Sequence, residues 1–73
     1  MMPRTEIRIP NNKYWVDSNP MNMTEWQWCK ERFGRINDNK DSNYWQINVT
    51  YGEIVGRFNN PNHATMFALR WAQ

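Results

Sequence analysis

Residues Tyr44-Trp45-Gln46-Ile47-Asn48-Val49-Thr50-Tyr51, then Gly52-Glu53, then Ile54-Val55-Gly56-Arg57-Phe58, decide the fold class. Trp45, Ile47, Val49 and Tyr51 alternate with Gln46, Asn48 and Thr50, which is the period of a strand with one buried face. Gly52-Glu53 is the expected two-residue loop, with Gly at the first position as a type II′ turn demands. The chain then returns over Ile54 to Phe58. In that register Tyr51 faces Ile54, Val49 faces Gly56 and Ile47 faces Phe58, all on one side of the hairpin. Gly56 would leave a gap opposite Val49 where a helix or a ring could approach.

Downstream, Asn59-Asn60-Pro61 reads as an N-cap followed by proline at the first helical position. A helix from Pro61 to about Trp71 carries Ala64, Phe67, Ala68 and Trp71 as one stripe, with Met66 and Leu69 off it. Upstream, residues 35–43 form a polar loop, expected to be the most mobile part of the chain. A further helix precedes it. Thr24-Glu25-Trp26-Gln27 fits a capping box, with Asn22 as the alternative cap, and Gly34 closes the helix after Lys30 and Arg32. Its apolar face holds Met23, Trp26, Cys29 and Phe33, with Lys30 on the same side; Trp28 lies off it. Thr5-Glu6-Ile7-Arg8-Ile9 alternates as a strand ended by Pro10. Residues 13–16 read equally as a short strand or an extended connector. The predicted fold is α+β: a small two-layer sandwich in the order β-α-β-β-α, an antiparallel-rich sheet with two helices on one face.

The chain has 73 residues, so it is read as a single domain over residues 1–73. A chain of this size buries roughly 60–65% of its unfolded surface, and its stability is on the order of 3–5 kcal/mol. Five Trp, three Tyr and three Phe supply the bulk that a thin core needs. Cys29 is the only cysteine, so no disulfide forms within the chain. With no secretory apolar segment after Met1-Met2-Pro3-Arg4 and no bilayer-length apolar run, the expected location is cytoplasmic, with no membrane partner. The net charge of +2 is too small for a strong electrostatic footprint on nucleic acid and of the wrong sign for a DNA mimic. Eleven asparagines, clustered at 11–12, 37–43 and 59–60, suit turns and caps.

No catalytic residue, metal ligand set or cofactor is expected. Cys29 falls on an apolar helix face, where a free thiol is a buried structural group. His63 has no nearby partner in sequence. The loop at 38–43 is rich in oxygen atoms, but Lys40 sits where a calcium ligand would be needed and no glycine makes the sharp turn. The three glycines are isolated, so there is no phosphate loop.

Binding has two candidate surfaces. Trp28, four residues before Arg32, reads equally as an exposed ring in a cation–π pair and as a ring that folds over the sheet edge and finishes the core; if exposed, it would make with Met66 and Leu69 an apolar patch for a protein partner or for self-association. The outer sheet face, with Arg8, Tyr44 and Arg57, resembles a platform for single-stranded nucleic acid, although such platforms need two or three stacking rings and only one is present.

Trp26-Gln27-Trp28-Cys29, Arg32-Phe33-Gly34, Gly56-Arg57-Phe58-Asn59-Asn60-Pro61 and Phe67-Ala68-Leu69-Arg70-Trp71 together resemble small accessory proteins of tailed bacteriophages, over roughly the last two-thirds of the chain. The matching positions are caps, core rings and turn glycines. The resemblance implies a viral protein acting in the bacterial host cytoplasm and transfers no site residue. The expected function is therefore non-enzymatic: binding a host protein as modulator or inhibitor. The alternatives are a single-stranded nucleic-acid-binding protein and a minor virion structural protein.

Overall fold

A computed structural model describes residues 4–72. Three strands, β1 (Thr5–Pro10), β2 (Trp45–Val49) and β3 (Glu53–Phe58), form one antiparallel sheet in the order β1-β3-β2. Two helices, α1 (Thr24–Phe33) and α2 (Pro61–Trp71), pack on one face of it. The expected α+β layering and β-α-β-β-α order are the observed ones, with a 3-10 turn at Pro20–Asn22 ahead of α1.

The alternation that predicted the strands also sets the core. Ile9, Trp45, Ile47, Ile54 and Phe58 point inward from the sheet and meet Met23 and Cys29 of the α1 layer and Ala64 and Phe67 of α2. Phe58 and Phe67 are fully buried, 5.2 Å apart between ring centroids. Truncating either to alanine would cost about 3–5 kcal/mol. That is comparable to the whole stability, on the order of 3–5 kcal/mol, of a chain this small.

The hairpin differs from expectation in register. Trp45 pairs with Phe58, Ile47 with Gly56 and Val49 with Ile54, so the loop is Tyr51-Gly52 rather than Gly52-Glu53. The Thr50 amide donates to the Glu53 carbonyl at 2.8 Å, while the Glu53 amide donates to Thr50 Oγ1 at 3.2 Å. The Thr50 carbonyl is taken instead by Asn11 Nδ2 at 2.8 Å. A threonine hydroxyl and a distant asparagine thus close the turn, and Gly52 keeps an ordinary φ; among the described residues only Gly34 has a positive one, at 75°. The displacement is an even number of residues, so every strand side chain keeps its face. Tyr51 alone changes role, from expected core residue to an exposed turn residue. Gly56 leaves no gap for a helix either. A Cβ there would lie 2.8 Å from Phe58 Cε2 and 3.3 Å from Ile47 Cδ1, so the space is already filled from within the sheet.

The start of α1 is a second correction. Neither Thr24 nor Asn22 caps it; the N-cap is Met23, which makes no side-chain cap bond. Asn19 instead caps the 3-10 turn, its Oδ1 accepting from the Met21 amide at 3.0 Å. Met23 is fully buried, and this apolar anchor outweighs a hydroxyl cap that would place Thr24 outside the helix. The Thr24 amide is satisfied by the Tyr14 hydroxyl at 3.2 Å. At the other end Gly34 closes α1 as expected, and its carbonyl accepts from Trp45 Nε1 at 2.7 Å, tying helix to sheet.

Helix α2 begins as predicted, with Asn60 Oδ1 accepting from the Asn62 amide at 2.9 Å and Pro61 at the first position. Residues 13–16 are connector, not strand. The loop over residues 35–43 is irregular but tethered: Asn59 Nδ2 donates to the carbonyls of Asn39 and Asp41 at 3.0 and 2.9 Å.

Candidate binding surface

The outer sheet face is ordered in rows by the register. Glu6, Arg57 and Gln46 form one row, and Arg8, Val55 and Asn48 the next. Arg8 is held between Glu6 and Glu53, and Arg57 lies 3.8 Å from Glu6. These partners raise the Arg8 pKa, chiefly through the Glu53 hydrogen bond. Tyr44 is covered by the Arg4 guanidinium, 5.2 Å from its ring. The structure therefore places Arg8, Tyr44 and Arg57 on one face, but the two arginines are neutralised by carboxylates and the single ring carries a cation. Val55 is buried on this face, not solvated as the alternation implies. It sits on the central strand, shielded by a neighbouring strand on each side.

The helical candidates separate into two groups. Trp28 is half-buried and meets Phe33, Phe67 and Trp71 edge-on, at centroid distances of 5.6, 6.3 and 6.3 Å. Arg32 caps its ring at 5.4 Å, the cation–π pair that the spacing predicts. Met66 and Leu69 are exposed on α2, Leu69 at 61%. They face away from Phe67 and Trp71, so the structure does not gather Trp28, Met66 and Leu69 into one patch.

Two residues outside the predicted set stand out. Trp15 and Tyr51 are 81% and 85% exposed, the most exposed of the large apolar side chains described. They lie at the same end of the sheet, where β1 finishes and the β2–β3 hairpin turns. Asn11 holds this end together. Its Nδ2 donates to the Tyr14 carbonyl at 2.9 Å and to the Thr50 carbonyl at 2.8 Å. Its own amide donates to the Gly52 carbonyl at 3.0 Å, and its Oδ1 accepts from the Tyr14 amide at 2.9 Å. Each exposed ring thus follows directly after a residue clamped by one asparagine. A concave surface of about 330 Å³ is lined by Asn11, Asn12, Lys13, Tyr14 and Trp15. Sequence reasoning placed Tyr51 in the core through the register error. The signal that could have found Trp15 was its position between two turn-rich stretches, without a periodic partner.

Behind this end lies a buried carboxylate. Glu25, on α1, is 2% exposed. Tyr14 Oη donates to its Oε1 at 3.0 Å, and Lys13 Nζ pairs with its Oε2 at 3.1 Å. That hydrogen bond raises the Lys13 pKa. The arrangement satisfies the charge and fixes the 13–15 connector against α1. Burial, with a smaller contribution from Glu25, pushes the Cys29 thiol up to about 12. Such a thiol holds its proton and is a poor nucleophile. His63 stacks on Phe33 at 4.0 Å, its Nδ1 buried with no hydrogen-bond partner among the described residues, and burial lowers its pKa. Among the described residues, no group of three or more His, Cys, Asp or Glu is placed to hold a metal ion, and no helix is long and apolar enough to cross a membrane.

Comparison with known proteins adds no relative: no family model matches the chain, and no curated protein or solved structure is significantly similar to it.

Proposed function

We propose that this protein is a non-enzymatic binding module whose partner is another protein, engaged through the end of the sheet that carries Trp15 and Tyr51. The observation that carries the reading is the pairing of exposure with restraint. Trp and Tyr are the residues most enriched at interface hot spots, and truncating such an anchor typically costs more than about 2 kcal/mol of binding. Here both are more than four-fifths exposed, yet the backbone beside each is clamped by Asn11. Backbone that is already held beside each ring has little further entropy to lose on association. The resemblance to phage accessory proteins makes a bacterial host protein the natural partner. The carboxylates paired with Arg8 and Arg57 argue against the outer sheet face as a nucleic-acid platform.

The test is capture from nuclease-treated bacterial lysate at low and high salt, with wild-type protein and with the Trp15→Ala/Tyr51→Ala variant. One protein recovered stoichiometrically by the wild type at both salt concentrations, and lost by the variant, is the expected result. Recovery of nucleic acid that disappears at high salt, or a partner retained by the variant, would overturn the reading.

A further inference from the structure

Helices α1 and α2 run antiparallel, and rings close the seam between them. At one end Phe33 stacks on His63; toward the other, Trp28 meets Trp71 edge-on at 6.3 Å between centroids. Both indoles are half-buried, and Trp71 Nε1 is wholly so. Cations lie over both rings. Arg32, one turn after Trp28 on α1, is 5.4 Å from its centroid. Arg70 and Lys13 are 4.2 and 5.9 Å from the centroid of Trp71. These three charges are not equally spent. Lys13 pairs with Glu25, and the sheet arginines Arg8 and Arg57 are answered by Glu6 and Glu53. Arg32 and Arg70 are exposed and form no ion pair among the described residues. Glu31, the acid beside Arg32 in sequence, lies about 100° round the helix from it.

We infer that the α1–α2 seam docks an acidic segment of a partner protein, whose carboxylates pair with Arg32 and Arg70. A guanidinium held over an indole has given up part of its rotamer freedom before any partner arrives. It keeps N–H donors for an anion, and its planar fork matches a carboxylate with two parallel hydrogen bonds. Because the two rings touch, the two forks address one stretch of surface, and a single segment bearing two or more carboxylates reaches both. Nucleic acid fits this seam less well. Two unmatched cations neutralise too few phosphates to hold a strand. Trp28 is engaged edge-on by Phe33, Phe67 and Trp71, so the pair is not an open platform on which bases stack. The seam uses neither Trp15 nor Tyr51, so this assignment adds to the proposed binding end and does not depend on it.

The test is a fluorescence-anisotropy titration of the full-length chain against a fluorescein-labelled peptide of alternating Glu and Ser. The same peptide with Gln in place of Glu, and a single-stranded oligothymidylate, are the rival probes. The acidic peptide should bind best at low salt, and its affinity should fall as salt is raised. Arg32→Gln/Arg70→Gln keeps aliphatic stems beside the rings and removes both charges; it should weaken the acidic peptide at least about tenfold. Arg35→Gln/Lys40→Gln removes two charges from the 35–43 loop instead and should leave the affinity unchanged. Arg32→Glu/Arg70→Glu should turn the preference round, toward a peptide of alternating Lys and Ser. Circular dichroism confirms that each variant is folded. Arginines that only shield the rings predict a lower melting temperature for Arg32→Gln/Arg70→Gln with peptide binding unchanged, and that result would overturn the proposal. So would no binding of the acidic peptide at low salt, equal binding of the Gln peptide, or tighter binding of oligothymidylate. An equal loss in the two Gln variants would also overturn it, since net charge alone would then attract the peptide.

Discussion

Replacing Tyr14 with phenylalanine removes one oxygen and probes the buried carboxylate directly. The Tyr14 hydroxyl donates to Glu25 Oε1 and accepts from the Thr24 amide. Thr24 is exposed, so water can replace the hydroxyl there and that bond contributes little. Glu25 is 2% exposed, so Oε1 would be left buried with its only side-chain donor among the described residues gone, while Lys13 still holds Oε2. Losing a hydrogen bond to a charged acceptor in that setting costs about 2–3 kcal/mol. For a domain of this size each kcal/mol moves Tm by roughly 4–8 °C, so the expected fall is on the order of 10–20 °C. Thermal unfolding followed by circular dichroism measures it. A double-mutant cycle with Glu25→Gln should return a coupling of about 1–2 kcal/mol, since the neutral amide keeps only the weaker bond. A Tyr14→Phe variant that melts within about 3 °C of the wild type would refute the reasoning, because it would mean that solvent reaches Glu25.

Gly56→Ala should destabilise by about 1–3 kcal/mol in a urea titration, because the added Cβ meets the immobile Phe58 ring at 2.8 Å. Cys29, its thiol pushed up to about 12 by burial, should be inert to a thiol reagent at pH 8 in the folded protein and react at once in denaturant. Burial holds the His63 pKa below its ordinary value of 6.5, so the unfolded chain binds the extra proton first. Stability is then complete above about 6.5 and declines as pH falls through the lowered value. His63→Phe, which keeps a ring against Phe33, should flatten that part of a stability-versus-pH profile.

The two layers, the element order and the limits of α2 were legible because each rests on local chemistry. Alternation selects strands, Asn-Pro starts a helix, and the isolated Gly34 ends one. Errors arose where a distant residue intervened. The hairpin turn looked like a glycine-led loop because Gly52 was the strongest local cue; Asn11, thirty-nine positions away, takes the Thr50 carbonyl and moves the turn by one residue. The capping box at Thr24 was a sound local reading overruled by the burial of Met23. Trp28 could not be placed because its neighbours, Phe67 and Trp71, come from the other helix.

The candidate surfaces divide the same way. Periodicity alone placed Arg8, Tyr44 and Arg57 on one sheet face, and Met66 and Leu69 outside the stripe of α2, because side-chain direction follows from position within an element. Only the tertiary structure showed that the sheet-face arginines are paired, that Glu25 is buried, that Trp15 and Tyr51 share one end, and that β2 rather than β3 lies at an edge. These depend on which elements become neighbours. That choice is made by packing across the whole chain, where a single buried methionine or a single asparagine bridge outweighs the local preference.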